Sequence, residues 1–289
     1  MDGPWLADPT LAMCADVVDD LERVRIANEN RLRTLTAVDE YGHGLTIDHP
    51  DVKRLAALVN TLQAAEHQAV LNMGRVMRHH PLGPWMAARP GIGEKQFARL
   101  LAAIGDPYWN DLKDEPRTVR QLYAYCGMHV LDLGAQIRHA SQATGGADQN
   151  PAQTRFDGQK TNGGDGDTGA QDVAEKSHEY RGAGIAPTHQ RGEKGNWNTT
   201  ARTRLWLIAD KCIQITTSPY RPLYDTGRTK YTDAIHPSPC KRCGPKNNPA
   251  ETGTPLSLGH QHARARRLIM KAILKDLWTE AKQLHNARL

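Results

Sequence analysis

Apolar residues recur at alternating steps of three and four through the first third of the chain. The first run is Cys14, Val17, Leu21, Val24, Leu32 and Leu35; the second is Val52, Leu55, Val59, Leu62, Val70, Met73 and Met77. Such a line marks an amphipathic helix with one covered side. Asp8-Pro9 opens the first run with a capping carboxylate and a proline at the first helical position. Gly42-His43-Gly44 breaks it, and Asp48 is placed to cap a second helix starting near Pro50. Residues 1–80 are therefore expected to form an antiparallel helical hairpin, coiled-coil-like, with polar Asn28 in the seam. A homodimer through this hairpin is the other way to cover such stripes.

The next pattern is Trp85 to Leu101. Pro90 ends one helix, Gly91 and Gly93 flank Ile92, and a second helix begins at once and stops near Gly105. Two glycines around an inward apolar peg make a helix-hairpin-helix turn. Its backbone N–H groups and the positive end of the following helix suit a phosphate oxygen, with Gly91, Ile92 and Gly93 at the contact and Lys95 and Arg99 as counter-charge. The plain alternative is a glycine-rich connection without a ligand. Phe97 occupies a position usually held by a small residue where the helices cross, which predicts a wider crossing. This unit is assigned to residues 81–140. Residues 141–181 are rich in Gly, Asp, Gln and Asn and are expected to be a disordered insertion.

In residues 182–289 three more helices are expected. One covers 198–215, with Ala201, Leu205, Ile208, Cys212 and Ile215 on one face. Another starts at Ser218-Pro219. The last spans 262–286, its apolar line Ala263, Met270, Leu274, Leu277, Ala281 and Leu284 flanked by Arg264, Arg267, Lys271, Lys275 and Lys282. No run alternates β-branched residues with period two, so the expected fold is mainly α.

Charge divides the chain. Residues 181–289 hold 19 Lys and Arg against 7 Asp and Glu, and residues 1–180 hold 18 against 25. A basic half attached to an acidic half points to a polyanionic partner, DNA first. The candidate phosphate contacts are Arg181, Arg191, Lys194, Arg202, Arg204, Arg221 and Arg228, with the stripe of the last helix. Trp197, Trp206, Tyr220, Tyr224 and Tyr231 would be the stacking residues of an RNA-binding module, although aromatic residues at helical spacing more often serve a core. No apolar stretch reaches membrane-spanning length, and the acidic start MDGPWLADPT is unlike a signal peptide, so a cytoplasmic protein is expected.

Five cysteines without a secretion signal argue against a disulfide framework. Cys240-Lys241-Arg242-Cys243-Gly244 is spaced like a zinc knuckle, and His260 and His262 complete a Cys2His2 set. The zinc would be structural, since four protein ligands leave no open position. A His-x-His pair diverges on a regular helix, so His260 would have to precede the helix; His236 is the substitute ligand. The alternative is two idle thiols beside two DNA-facing histidines.

Taken in order, PGIGEKQFARLLAAIGDPYWND, RTVRQLYAYCGM, RGEKGNWNTTARTRLWLIADKCI, SPYRPLYDTGRTKY and HARARRLIMKAILKDLW resemble one family. It is the C-terminal domain of the RNase-H-like (DEDD) insertion-sequence transposases, the IS one-ten, one-sixteen and nine-oh-two group. The resemblance covers about 84–130 and 184–285 and implies a mobile-element or bacteriophage protein involved in DNA recombination. In that family a nuclease-like domain supplies four metal-binding acids, a helical coiled coil follows, and the C-terminal domain carries a nucleophilic serine; strand exchange is guided by an RNA. The hairpin at 10–79 corresponds to that coiled coil. Asp16, Asp19, Asp20 and Glu22 lie on a predicted helix and read as its solvated face, so the nuclease site is expected to be missing. Ser141, Ser177 and Thr188 fall in the interval where the family serine belongs, and none has a convincing context. The expected function is therefore a transposase-derived DNA-binding protein. The alternatives are a recombinase subunit with its nuclease domain in another chain, an RNA-binding module, or an interaction protein acting through the hairpin.

Overall fold

The computed structural model describes residues 3–129, 196–245 and 248–288. The segment 141–181, together with Arg181, Arg191, Lys194, Ser141, Ser177 and Thr188, lies outside the described residues. Helix α1 (Pro9–Thr36) starts where expected, with the Asp8 carboxylate accepting from the amides of Thr10 and Leu11. Helix α2 (Pro50–His79) is capped by His49, whose Nδ1 accepts from the Asp51 amide; Asp48 instead pairs with Lys53 at 3.0 Å. The two helices pack on each other as an antiparallel hairpin.

The covered face of α1 differs from the one its periodicity suggested. Leu11, Ala15 and Val18 are buried, whereas Val17 and Val24 are 45% and 44% exposed. The reason is a second neighbour: α1 packs on α2 and also on α4 (Glu94–Ile104). A helix covered on two sides turns a face between them inward. Midway along the hairpin seam Arg25 Nε donates to Glu66 Oε2 at 2.5 Å. Seven-residue steps from this pair bring Val18 level with Met73 and Leu32 level with Val59. A single charged layer in an apolar seam fixes register, because any slip strands both charges.

After α2 comes the short α3 (Gly83–Ala87), the glycine turn, α4, a two-residue antiparallel pair β1 (Trp109–Asn110) with β2 (Glu115–Pro116), and α5 (Val119–Tyr125). Phe97 lies in the first turn of α4 and faces the core. It is fully buried, and its ring stacks on Trp85 with centroids 5.4 Å apart. Beyond residue 195 lie α6 (Thr199–Gln214), α7 (Arg221–Lys230) and α8 (Leu258–Arg288). The described residues thus form eight helices and one small strand pair. Asn198 caps α6 by accepting from the Ala201 amide, and its side-chain amide donates to the Ala103 carbonyl, tying α6 to the end of α4.

Helix α8 is the spine of this half, packing on α5, α6 and α7. Its buried line includes the expected Met270, Leu274, Leu277 and Ala281, with Ala265, Ile269 and Ile273 added because more than one neighbour covers it. One core runs from Leu6 through Met73, Phe97, Leu122 and Leu205 to Ala281. It is closed at one end by Asp106, a fully buried carboxylate that accepts from the amides of Leu6, Tyr108 and Trp109 and meets His285 Nε2 at 2.7 Å. None of the described helices is long and apolar enough to cross a membrane.

Candidate metal centre and cationic surfaces

The glycine turn is built as expected but faces the protein. Gly91 has φ +99, and a Cβ there would lie 3.0 Å from both Cα and Sγ of Cys212 on α6. Ile92 is buried behind it. Gly93 caps α4 with an ordinary φ of −79 and open space around it. The two glycines therefore do different work. Gly91→Ala is expected to destabilise the fold by about 1–3 kcal/mol through backbone strain and collision, and Gly93→Ala by less than about 1 kcal/mol. Urea unfolding of the two variants measures this contrast, and equal effects would remove the proposed packing role of Gly91.

Lys95 and Arg99 are occupied internally. Lys95 Nζ lies 3.2 Å from Glu22 and 3.0 Å from Glu66. Arg99, its side chain almost wholly buried, pairs with Asp19 and with Glu22 at 2.6 Å. Arg204 reaches the same Asp19 at 3.0 Å. Two of the acids that the sequence assigned to a solvated helix face, Asp19 and Glu22, thus turn inward and neutralise the cations expected to meet phosphate. Burial opposes ionisation of Glu22 and Glu66, but the facing cations outweigh it: Arg99 and Lys95 at Glu22, Arg25 and Lys95 at Glu66. Both pKa values are lowered. A depressed carboxylate contributes stability above its unfolded pKa and loses it as pH falls through the folded value. The thermal midpoint is expected to drop on acidification below the ordinary glutamate range, and less steeply in Glu66→Gln. A variant that follows the wild-type profile would remove the ion layer from the account.

The other expected contacts fall into two groups. Arg221 pairs with Asp225 at 3.0 Å and donates to the Ile213 carbonyl, and Arg228 donates to the Leu258 carbonyl. By contrast Arg264, Arg267, Lys271 and Lys275 on α8 have no carboxylate ion-pair partner among the described residues. Arg264 lies over the Tyr231 ring. Of the aromatic residues, Tyr220 is core, its hydroxyl donating to Asp276, and Trp206 carries the Arg266 guanidinium 4.3 Å above its ring.

Between α7 and α8 the chain forms a small clasp. His236 and Cys240 lie on one arm, bridged to the returning arm at Ile235–Pro255 and Cys240–Ala250. Cys243 follows in the turn, where the Gly244 amide donates to the Cys240 carbonyl. His260 comes from the first turn of α8. Ligand atoms of His236, Cys240, Cys243 and His260 all lie within 4.8 Å of one another, and the group can hold a metal ion. His260 Nδ1 is 3.3 Å from Cys243 Sγ and 3.7 Å from Cys240 Sγ. A tetrahedral zinc with ordinary bond lengths sets its ligand atoms about 3.4–3.8 Å apart.

Three further observations fit a metal. His236 is buried, and its Nδ1 contacts the Thr254 carbonyl at 2.8 Å, which leaves Nε2 buried without a partner. A carbonyl on the far nitrogen is how proteins orient a metal-binding imidazole. Burial, then Arg264 and Arg242, hold the His260 pKa at about 4, so its lone pair is free at neutral pH. Burial by itself would raise the Cys243 thiol, but hydrogen bonding with Ser257, whose hydroxyl lies 3.0 Å from the sulfur, brings it down to about 7.

His262 is not part of this group. Because α8 begins at Leu258, both histidines are helical and point apart. His262 Nδ1 meets the Tyr224 hydroxyl at 2.7 Å, and Nε2 contacts Arg266. His236 takes the fourth place. The sequence signal that favours it is the requirement for divergence in a His-x-His pair on a helix. Comparison of the chain with family models, curated proteins and solved structures finds no match.

Proposed function

We propose that this chain is a nucleic-acid-binding protein related to insertion-sequence transposases, acting by binding, with its basic half held in shape by a structural zinc. The supporting observation is the uneven pairing of its cations. Lys95, Arg99 and Arg204 are neutralised by acids of α1 and α2. The stripe Arg264, Arg267, Lys271 and Lys275 on α8 has no such acid among the described residues. Unpaired cations at helical spacing suit a phosphate backbone and carry no sequence information by themselves.

His236, Cys240, Cys243 and His260 would hold the zinc. Two thiolates and two imidazoles are the donor set of closed structural sites, and zinc there supplies folding energy with no position left for a reacting molecule. It would fasten the clasp between α7 and α8 to the first turn of α8, and so fix where the basic stripe begins.

The test is binding of the full chain to labelled duplex DNA, single-stranded DNA and structured RNA across a salt series. Affinity should fall steeply with salt, log–log, with a slope of roughly −0.9 for each duplex phosphate neutralised. Absence of salt-dependent binding to all three would overturn this reading and turn attention to protein partners of the hairpin.

A further inference from the structure

Resting on the zinc part of that reading, we propose that Cys240 and Cys243 are a redox modification site: hydrogen peroxide joins their sulfurs in a disulfide, and the clasp releases its metal. The two sulfurs lie within 4.8 Å of each other. The Gly244 amide donates to the Cys240 carbonyl at 3.3 Å, closing one turn. In a helix-like turn of this kind Cα atoms three residues apart are about 5 Å from each other. That is inside the span of about 4.4–6.8 Å that a disulfide bridges, so side-chain rotation suffices to close the bond. Both residues are half-buried, within reach of a small oxidant. The remaining cysteines are placed differently. Cys126 and Cys212 are fully buried, and burial raises both thiols, Cys126 to about 12. Cys14 is half-buried on α1, with no other cysteine in that helix.

The chemistry runs in two steps. One thiolate attacks a peroxide oxygen and the O–O bond breaks. The sulfur becomes a sulfenic acid, and the departing hydroxide takes a proton from solvent and leaves as water. The second thiolate attacks that sulfur. The S–S bond forms, the S–O bond breaks, and a second hydroxide is protonated to water. The sulfur pair has given two electrons to the peroxide, and two protons have come from solvent. Oxidation thereby removes both anionic donors of the metal group at once and leaves the imidazoles of His236 and His260, half of a tetrahedral set. The new bond joins residues of the same turn. It does not replace the tie that a metal makes from this turn to His260 in the first turn of α8. Reduction by a thiol returns both ligands, so the modification is reversible.

The experiment titrates the zinc-loaded full chain with hydrogen peroxide, as wild type and as Cys14→Ser. Freed zinc is read with a chromogenic chelator, and the disulfide by peptide mapping without reduction. The wild type should release zinc in step with a Cys240–Cys243 disulfide, one metal for each bond formed. Its thermal midpoint should fall by roughly 10 °C, as expected for loss of the metal. A dithiol reductant with added zinc should restore both the metal and the midpoint. Cys14→Ser should match the wild type throughout. Zinc that stays bound, with both clasp thiols intact, at peroxide levels that oxidise Cys14 would overturn the proposal and leave the zinc reading standing. So would zinc lost to sulfinic acids at Cys240 or Cys243 without a disulfide, because that loss is not reversed by a thiol. A chain that takes up no zinc before any oxidant is added overturns both.

Discussion

Cys240→Ser with Cys243→Ser is expected to abolish metal binding and to lower the thermal midpoint of the zinc-loaded protein by roughly 10 °C. The wild-type chain should carry one zinc by native mass spectrometry, and the double variant none. The size follows from linkage. A ligand present at a thousandfold above its dissociation constant stabilises the state that binds it by about 4 kcal/mol. In a chain of this size each kcal/mol is worth about 2–4 °C. The clasp has little else to hold it. Two isolated bridges and the His236–Thr254 contacts close it, and its side chains contribute few of the core residues. Chelation of the wild type should reproduce the loss, and His262→Ala should keep the metal. A chain that holds no zinc and melts alike before and after chelation would end the metal reading. Loss of zinc in His262→Ala with retention in His236→Ala would restore the ligand set first drawn from the sequence.

Asp106→Ala should be the most damaging single substitution outside the clasp, costing about 3–5 kcal/mol. One carboxylate collects the Leu6, Tyr108 and Trp109 amides and His285 of α8. Its removal leaves several buried donors without an acceptor at once, and the chain start, the loop after α4 and the end of α8 lose their common anchor. His285 sits among Trp5, Tyr108 and Trp109, with ring centroids between 5.1 and 6.1 Å away. Asp106→Asn keeps an acceptor for the loop amides and can donate to the imidazole, so it should cost less, about 1–2 kcal/mol. Urea denaturation of both variants is the measurement. If Asp106→Ala unfolds within about 1 kcal/mol of wild type, the carboxylate is not the anchor described here.

Much of the local structure was legible. Asp8-Pro9, Gly42-His43-Gly44 and Pro90-Gly91 announce their helix boundaries because capping and left-handed turns depend on one or two residue types. The helix over 199–214 and the long basic helix at the end follow from spacing alone. The inward face of α1 was less legible. Periodicity gives the line Cys14–Val17–Leu21–Val24, but a helix between two neighbours buries a wider and rotated face, and the charged pairs at Glu22 and Arg25 look like solvent positions until Arg99, Lys95 and Glu66 arrive from elsewhere. Of the metal group, Cys240, Cys243 and His260 were visible as spaced donors. The choice of His236 over His262 depended on where α8 begins.

The sequence by itself determined a mainly helical chain, a hairpin followed by a glycine turn, a basic second half and a Cys-x-x-Cys donor pair. These are properties of neighbours along the chain, set by caps, periods and spacing. Only the tertiary structure decided which of the described cations are neutralised by acids. Lys95 and Arg267 look alike as cations on helices, yet one faces Glu22 and Glu66 and the other faces Arg202. Coulombic interaction depends on distance in space, and the two acids that meet Lys95 lie 73 and 29 residues away along the chain.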